Sequence, residues 1–240
     1  MMNFFRQNPL LLATMTLAVF TLFSCRKNAE DALALLSETE AAEIVESSVS
    51  ERSAGTAMPT VEMAQLLEGY LQNCGVPGDT TLQRSNTLGP VTCNATFDLG
   101  WLINCNALGV PQDAQVSVAG NGTFSTQRWA GADVTAGVLT FAGLQPQATA
   151  YVVNGSYTLE GDLTGSLRNA DPTLSVTTTL ALAGLEIRKS DYAIAGGSGT
   201  LAMVATNGRG RTETLDGAIV FNSDGTATVT VNGHTHTFPL

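Results

Sequence analysis

The sequence predicts an all-β domain, and three observations support this. From Val76 onward apolar residues recur at every second position, as in strands with one buried face. Gly, Asn and Asp interrupt this alternation at intervals of about 8 to 14 residues, as turns do. Of 31 threonines, 25 follow residue 74, and threonine is enriched in strands. Because no strand-like run alternates with long helices, we expect an antiparallel meander that forms a barrel or a sandwich, preceded by a short helix and a tether.

Composition excludes several other classes of protein. Hydrophobic residues make up 44% of the 240 residues and charged residues only 13%, which is too apolar for a disordered chain and too sparsely charged for a coiled coil. The net charge is −10, and Lys189 is the one lysine after residue 74. We therefore expect no nucleic-acid partner for the domain, since phosphate binding requires a basic surface.

Residues 1–24 have the pattern of a lipoprotein signal peptide. Arg6 supplies a positive charge, and an apolar run of 14 residues follows from Leu10 to Phe23, shorter than the roughly 20 residues of a spanning helix. The run ends in Leu22-Phe23-Ser24-Cys25, which resembles a bacterial lipobox. We expect acylated Cys25 to begin the mature chain and to anchor it in the outer membrane. The alternative is an ordinary signal peptide with a chance cysteine.

The segment after Cys25 is acidic. Residues 26–31 place a basic pair before an acidic pair, and this resembles the export signals of Bacteroidota surface lipoproteins, so we expect surface display, with a periplasmic position as the alternative. We interpret residues 25–59 as an acidic flexible tether with patchy helix around residues 31–46, residues 60–74 as a short helix capped by Thr60, and residues 75–240 as the β domain.

Residues 91–105 fit two structures, which differ in the disulfide they allow. The alternation fits either one long strand or a hairpin whose loop is residues 98–100. In one strand, Cys93 and Cys105 lie about 40 Å apart, too far to bond, so Cys74 pairs with one of them. We favour Cys74 with Cys105, which would fasten the helix end to the sheet. In the hairpin, Cys93 faces Cys105. We expect the remaining thiol to be a buried strand residue.

Asn232-Gly233 predicts a C-terminal hairpin with a two-residue loop. The loop places Val231 opposite His234 and Val229 opposite His236, so the only two histidines share the apolar face. Such a pair can bind a metal if an acid joins it from a neighbouring strand, and Glu213 or Asp216 is a candidate. Without a fixed third ligand, we regard His234 and His236 as weak metal candidates and expect no cofactor.

Several motifs also resemble a known group of proteins. Cys74-Gly75, Trp101 with Asn104-Cys105-Asn106, residues 151–158 and residues 225–233 resemble Bacteroidota secreted proteins and surface lipoproteins with a Thr- and Gly-rich β domain, over roughly residues 70–240. The resemblance implies an envelope β domain without an assigned activity, and it supports the pairing of Cys74 with Cys105. Asp79-Thr80-Thr81 is similar to the Bacteroidota O-glycosylation pattern, which makes Thr80 a candidate acceptor.

No motif supplies a convergent catalytic set. Glu160 and Asp162 lie on one face of a single strand, so they cannot easily flank a glycosidic bond. The sequence therefore indicates a lipid-anchored, non-catalytic binding or adhesion module, with a glycan or an envelope protein as partner. The alternatives are a structural or assembly component of an envelope complex, or a carrier of lipids or small molecules. The possible sugar-stacking platforms are Trp101, Trp129, Tyr151 and Tyr157, with core packing as the alternative that we favour for at least Trp101, since its neighbours are apolar.

Overall fold

The computed structural model of the protein describes residues 34–165 and 173–240. Within these ranges, two α-helices and a short 3-10 helix precede ten strands. The helices are α1 (Glu38–Val49), the 3-10 helix (Glu51–Ser53) and α2 (Ala57–Tyr70). The strands are β1 (Pro77–Leu88), β2 (Val91–Cys105), β3 (Pro111–Ser125), β4 (Trp129–Ala142), β5 (Ala150–Gly165), β6 (Thr173–Arg188), β7 (Ile194–Asn207), β8 (Thr212–Phe221), β9 (Thr226–Val231) and β10 (His234–Pro239).

The strands form one antiparallel sheet in which each strand lies beside the next in sequence. The predicted all-β meander is confirmed. The sheet is not closed into a barrel, since β1 and β10 are its two edges, and it is one continuous sheet rather than a sandwich. Helical residues pack beside the β10 edge and on the inner face: α1 contacts β9 and β10, and the 3-10 helix contacts β2.

Residues 91–105 form one strand, β2, with alternating burial. In the middle of this strand, Asp98 pairs with Ala119 and Gly100 with Ser117 of β3, without a break in register. The hairpin alternative is therefore wrong. The loop it required, residues 98–100, is part of a continuous ladder with both neighbouring strands.

The inner face of the sheet is apolar and carries aromatic rings that lie over glycines of the next strand. Phe97 pairs with Gly120, and Tyr157 with Gly137. A methyl group on Gly137 would lie 2.5 Å from Tyr157 Cδ1, which is closer than non-bonded carbon atoms approach. These glycines let large rings lie flat against the sheet, which leaves room for two helices on its inner face.

The expected flexible tether, residues 25–59, contains packed structure in its described part, residues 34–59. Ser37 begins α1 with a capping box: the Ser37 side chain accepts from the backbone N–H of Glu40, and the Glu40 carboxylate accepts from that of Ser37. Ile44 and Val45, only 2% and 1% exposed, pack in the core. The tether interpretation is corrected here, because an amphipathic helix with buried apolar residues does not behave as a flexible spacer.

The second predicted helix, residues 60–74, also has different bounds. It runs from Ala57 to Tyr70, because Pro59 lies in the first turn, where backbone N–H groups have no helical partner and proline costs little. Thr60 is therefore not the cap. Its hydroxyl, completely buried, donates to the carbonyl of Thr56 at 2.6 Å and lies 2.8 Å from the Tyr157 hydroxyl. This contact fastens α2 to β5.

Cys74 and Cys105 form a disulfide with a Cα–Cα distance of 5.6 Å. The bond links the chain after α2 to the end of β2, as we predicted for the alternative in which residues 91–105 form one strand. Cys93 is a free, buried thiol in β2, and burial raises its pKa.

We expect the double substitution Cys74→Ala/Cys105→Ala to lower the free energy of unfolding by about 3 to 4 kcal/mol, the loss of chain entropy for a closed loop of this length. The cysteines are 31 residues apart. Urea unfolding checks this, with dithiothreitol-treated wild type as the control, which should match the variant. Non-reducing peptide mapping that joined Cys93 to either of the other two cysteines would contradict the assignment.

Candidate binding surface

The sequence and the structure agree that the outer face of the sheet is exposed to solvent. We define it as the outward-facing residues of β2 to β8. Side chains from six strands lie side by side in rows across it. The two central rows are Ala119, Ala136, Thr158, Thr179, Ala202 and Asp216, and Ser117, Val138, Ser156, Ala181, Thr200 and Ala218.

Strand β4 supplies the most apolar part of this face. Its seven outward positions carry six apolar residues and one hydroxyl, and no charge: Ala130, Ala132, Val134, Ala136, Val138, Thr140 and Ala142. Val134 and Val138 are 61% and 68% exposed. Single exposed valines need no explanation, but a stripe of apolar side chains along a surface strand is typical of a contact surface.

The charged side chains on the outer face are acidic, apart from Arg188 at the C-terminal end of β6. That arginine forms an ion pair with Asp191 at 3.0 Å. Three acids accept hydrogen bonds on the face: Asp98 from Thr81 at 2.7 Å, Asp113 from Asn104 at 2.7 Å, and Asp162 from Ser175 at 2.5 Å. The surface therefore combines small apolar and hydroxyl side chains with scattered negative charge, which disfavours an anionic partner.

The four proposed stacking platforms lie in the core. Trp101 and Trp129 are 5% and 4% exposed, and both tyrosines are completely buried. Tyr151 donates a hydrogen bond to Glu68 of α2. Burial, reinforced by this carboxylate, raises the Tyr151 pKa, and burial likewise raises that of Tyr157. These rings hold the helices to the sheet, so the hypothesis that they stack on sugars is wrong.

The inner face is filled by helical side chains. Between α1 and strands β3 to β6 the remaining cavity measures about 20 Å³, which is space for about one water molecule. A larger cleft of about 270 Å³ lies between α1 and the β3–β4 turn. At its wall, Arg128 Nη1 contacts both oxygens of Glu43 at 2.9 Å, and Trp129 Nε1 donates to the same carboxylate. Its polar groups thus serve to dock α1.

The two histidines have the predicted register, with Val231 opposite His234 and Val229 opposite His236. Each contacts a different glutamate of α1: His234 Nε2 lies 2.6 Å from Glu38, and His236 Nε2 lies 3.1 Å from Glu46. They therefore attach α1 to the edge strand β10. In the described ranges no three His, Cys, Asp or Glu side chains are grouped so as to hold a metal ion.

The acids proposed to join the histidines lie elsewhere. Glu213 Oε2 accepts from the backbone N–H groups of Leu35 and Leu36, at 2.7 and 3.1 Å, just before α1 begins. Asp216 lies in an outer row opposite Ala202. Sequence reasoning missed the docking of α1, although Ser37-x-x-Glu40 is a recognisable capping-box signal.

The structure describes only one of the two predicted modification sites, the glycosylation candidate and not the lipidation site. Cys25 lies outside the described residues. Thr80 lies in β1 opposite Leu99, half-buried, and its glycosylation stays a prediction. Among the described helices, none is both long and apolar enough to cross a membrane. No family model, curated protein or solved structure matches the chain.

Asp133 is the one charged residue that β4 places on the inner face. It lies between Gly122 and Gly161 of the neighbouring strands, beside the small cavity under α1. Burial raises its pKa, and a hydrogen bond from its own backbone N–H only partly opposes this. The native state therefore disfavours the ionised carboxylate.

We expect Asp133→Asn to raise the free energy of unfolding at pH 7 by about 1 kcal/mol. The pKa of Asp133 is higher in the folded protein than in the unfolded protein, where it is about 4. The wild type therefore loses stability as the pH rises from about 4 through the pKa of the folded state. Urea unfolding between pH 3 and pH 7 should show the two proteins diverging over that window. Asp216→Asn, at an exposed outer position, is the control and should change little. An equal difference at pH 3 and pH 7 would contradict the argument.

Proposed function

We propose that this protein is a lipid-anchored component of a bacterial outer membrane and that its β domain is a non-catalytic binding module. The observation that carries the binding role is the uncharged stripe of β4, with Val134 and Val138 more than half exposed in the middle of a wide sheet face. The lipobox-like Leu22-Phe23-Ser24-Cys25 supports the anchor.

The chemistry of the outer face favours a protein partner over a glycan. Sugars are commonly held by exposed aromatic rings, whereas the tryptophans at 101 and 129 are buried. Small Ala, Val, Ser and Thr side chains instead allow another polypeptide to approach the sheet closely. The acids Glu160, which lies opposite Val134, and Asp216, which lies opposite Ala202, suit a partner with a neutral or basic surface. A role in assembling an envelope complex would use the same surface.

Substituting the stripe tests the binding role. We expect Val134→Lys/Val138→Lys to weaken binding to isolated envelopes at least about tenfold, since two long charged side chains keep a partner away from the face. Folding should be unaffected, because both positions are exposed. The measurement is sedimentation of the labelled chain, beginning at residue 26, with envelopes from a strain that lacks the gene.

The matched control is Val134→Thr/Val138→Thr, which keeps the shape of both side chains and should bind within about threefold of the wild type. Protease treatment of the envelopes should abolish binding if the partner is a protein. Binding that survives this treatment and recurs on a glycan array would overturn the choice of partner. Equal binding by the lysine variant would overturn the surface.

Substituting Cys25 tests the anchor separately. We expect Cys25→Ala to remove acylation, measured as incorporation of labelled palmitate, and to move the protein from the membrane fraction to the soluble fraction. Cys93→Ala is the control, because a thiol buried in β2 is not an acylation site. Unchanged palmitate incorporation in Cys25→Ala would rule out this anchor. Protease accessibility on intact cells then distinguishes surface display from a periplasmic position.

A further inference from the structure

The two edges of the sheet differ in how they are covered. At one edge, β10 lies against α1 through the pairs His234 with Glu38 and His236 with Glu46, and Ser50 Oγ donates to the carbonyl of Pro239. Side chains of the helix thus occupy the space beside β10, so another strand cannot easily be added there.

Within residues 34–165 and 173–240, the other edge, β1, has no comparable row of helix contacts along its length; Glu62 of α2 reaches it at Arg84. Within the described sheet, its one neighbouring strand is β2, with which it forms twelve consecutive pairs without a bulge. None of its twelve residues is buried, and the last six are all exposed. Lysines, bulges and short length commonly protect an edge strand, whereas β1 is long, regular and free of lysine. Its one proline, Pro77, lies at the very start.

A strand edge recognises another strand, because its backbone N–H and C=O groups alternate along it. The side chains of β1 restrict which strand fits. The outward positions from Asp79 to Thr87 are small or uncharged except for Asp79, and on the inner side Glu62 of α2 neutralises Arg84. The edge therefore suits a regular, polar strand with little net charge.

We propose that β1 pairs with β1 of a second copy of this chain, antiparallel, to form one continuous twenty-stranded sheet. A register centred on Leu82 satisfies the side chains. Leu82, the half-buried apolar residue in the middle of the strand, then faces its own copy, as an isologous interface requires. Residues 77–87 all find partners in this register.

The charges are compatible in the same register. Asp79 lies opposite Ser85 of the second copy, where the hydroxyl can donate to the carboxylate, and Arg84 lies opposite Thr80. No like charges face each other, and both outer faces remain on the same side of the sheet. This self-association is independent of which molecule the outer face binds.

The register makes a sharp test possible, because Thr81 of one copy faces Gln83 of the other. Both side chains are exposed. We expect the full mature chain, in a density-matched detergent, to sediment as a dimer. Thr81→Lys/Gln83→Lys places lysines opposite each other twice and should raise the dissociation constant at least about tenfold.

Thr81→Lys/Gln83→Glu places opposite charges in the same positions and should restore the dimer to within about threefold of the wild type. Thr200→Lys/Ala202→Lys on β7 adds the same charge away from the edge and should leave the dimer unchanged. A wild type that is monomeric at every concentration overturns the proposal, as does an undiminished dimer in the double-lysine variant. Failure of the lysine–glutamate variant to recover overturns the register centred on Leu82.

Discussion

The apolar inner face of the sheet is the constraint on which the rest of the structure depends. Ten strands turn alternate side chains toward one side, and an open sheet cannot bury that side by itself. The helices supply the missing layer. Their most deeply buried residues, Met63, Ala64 and Leu67 of α2, have no exposed surface. Helix docking and sheet formation are therefore one event: without α1 and α2 the inner face would be open to water.

This constraint explains why the polar residues near the helices are attachment points. Glu40 and Glu43 of α1 meet Arg128, and Tyr157 meets Thr60. The pair of Arg128 with Glu43 is partly exposed, and such pairs contribute little to stability individually. Their effect is to fix the helices in one orientation over an apolar surface that would accept several. What is left for contacts with other molecules is the opposite face of the sheet and its uncovered edge.

Alternation and turn chemistry were sufficient to predict the strands from the sequence. The C-terminal hairpin follows from Asn232-Gly233, and its register is as predicted. The barrel was not excluded, because closure depends on whether helices or strands fill the gap between the edges, and alternation is the same in both cases. The acidic tether was misinterpreted for a related reason. In the sequence, the four glutamates of α1 resemble a solvated segment, because their partners, Arg128, His234 and His236, lie 80 to 200 residues further along the chain.

The candidate surface was predictable only in part. The sequence shows that Thr, Ala and Val occupy the outward positions, but the same pattern describes any exposed strand face. The stripe on β4 becomes a candidate because register places Ala136 and Val138 between small outward residues of β3 and β5, while Val134 lies between Asn121 and Glu160. Such rows run across neighbouring strands, so they depend on the register between those strands. Loop lengths and bulges, such as the bulge at Gly155, set this register, and alternation within one strand does not determine it.

The docking of α1 also changes the geometry of the proposed anchor. With Cys25 in the membrane, the predicted tether of residues 25–59 would have let the domain move far from the surface. The described chain begins at Ala34, nine residues after Cys25 (34 − 25), and nine residues span at most about 32 Å. The start of α1 lies at the end of the sheet that carries Glu213 and the β9–β10 turn. An acylated Cys25 would therefore hold that end near the bilayer, with the disulfide at the opposite end pointing away from it. In that orientation the outer face would stand beside the membrane, open to partners that approach along the surface.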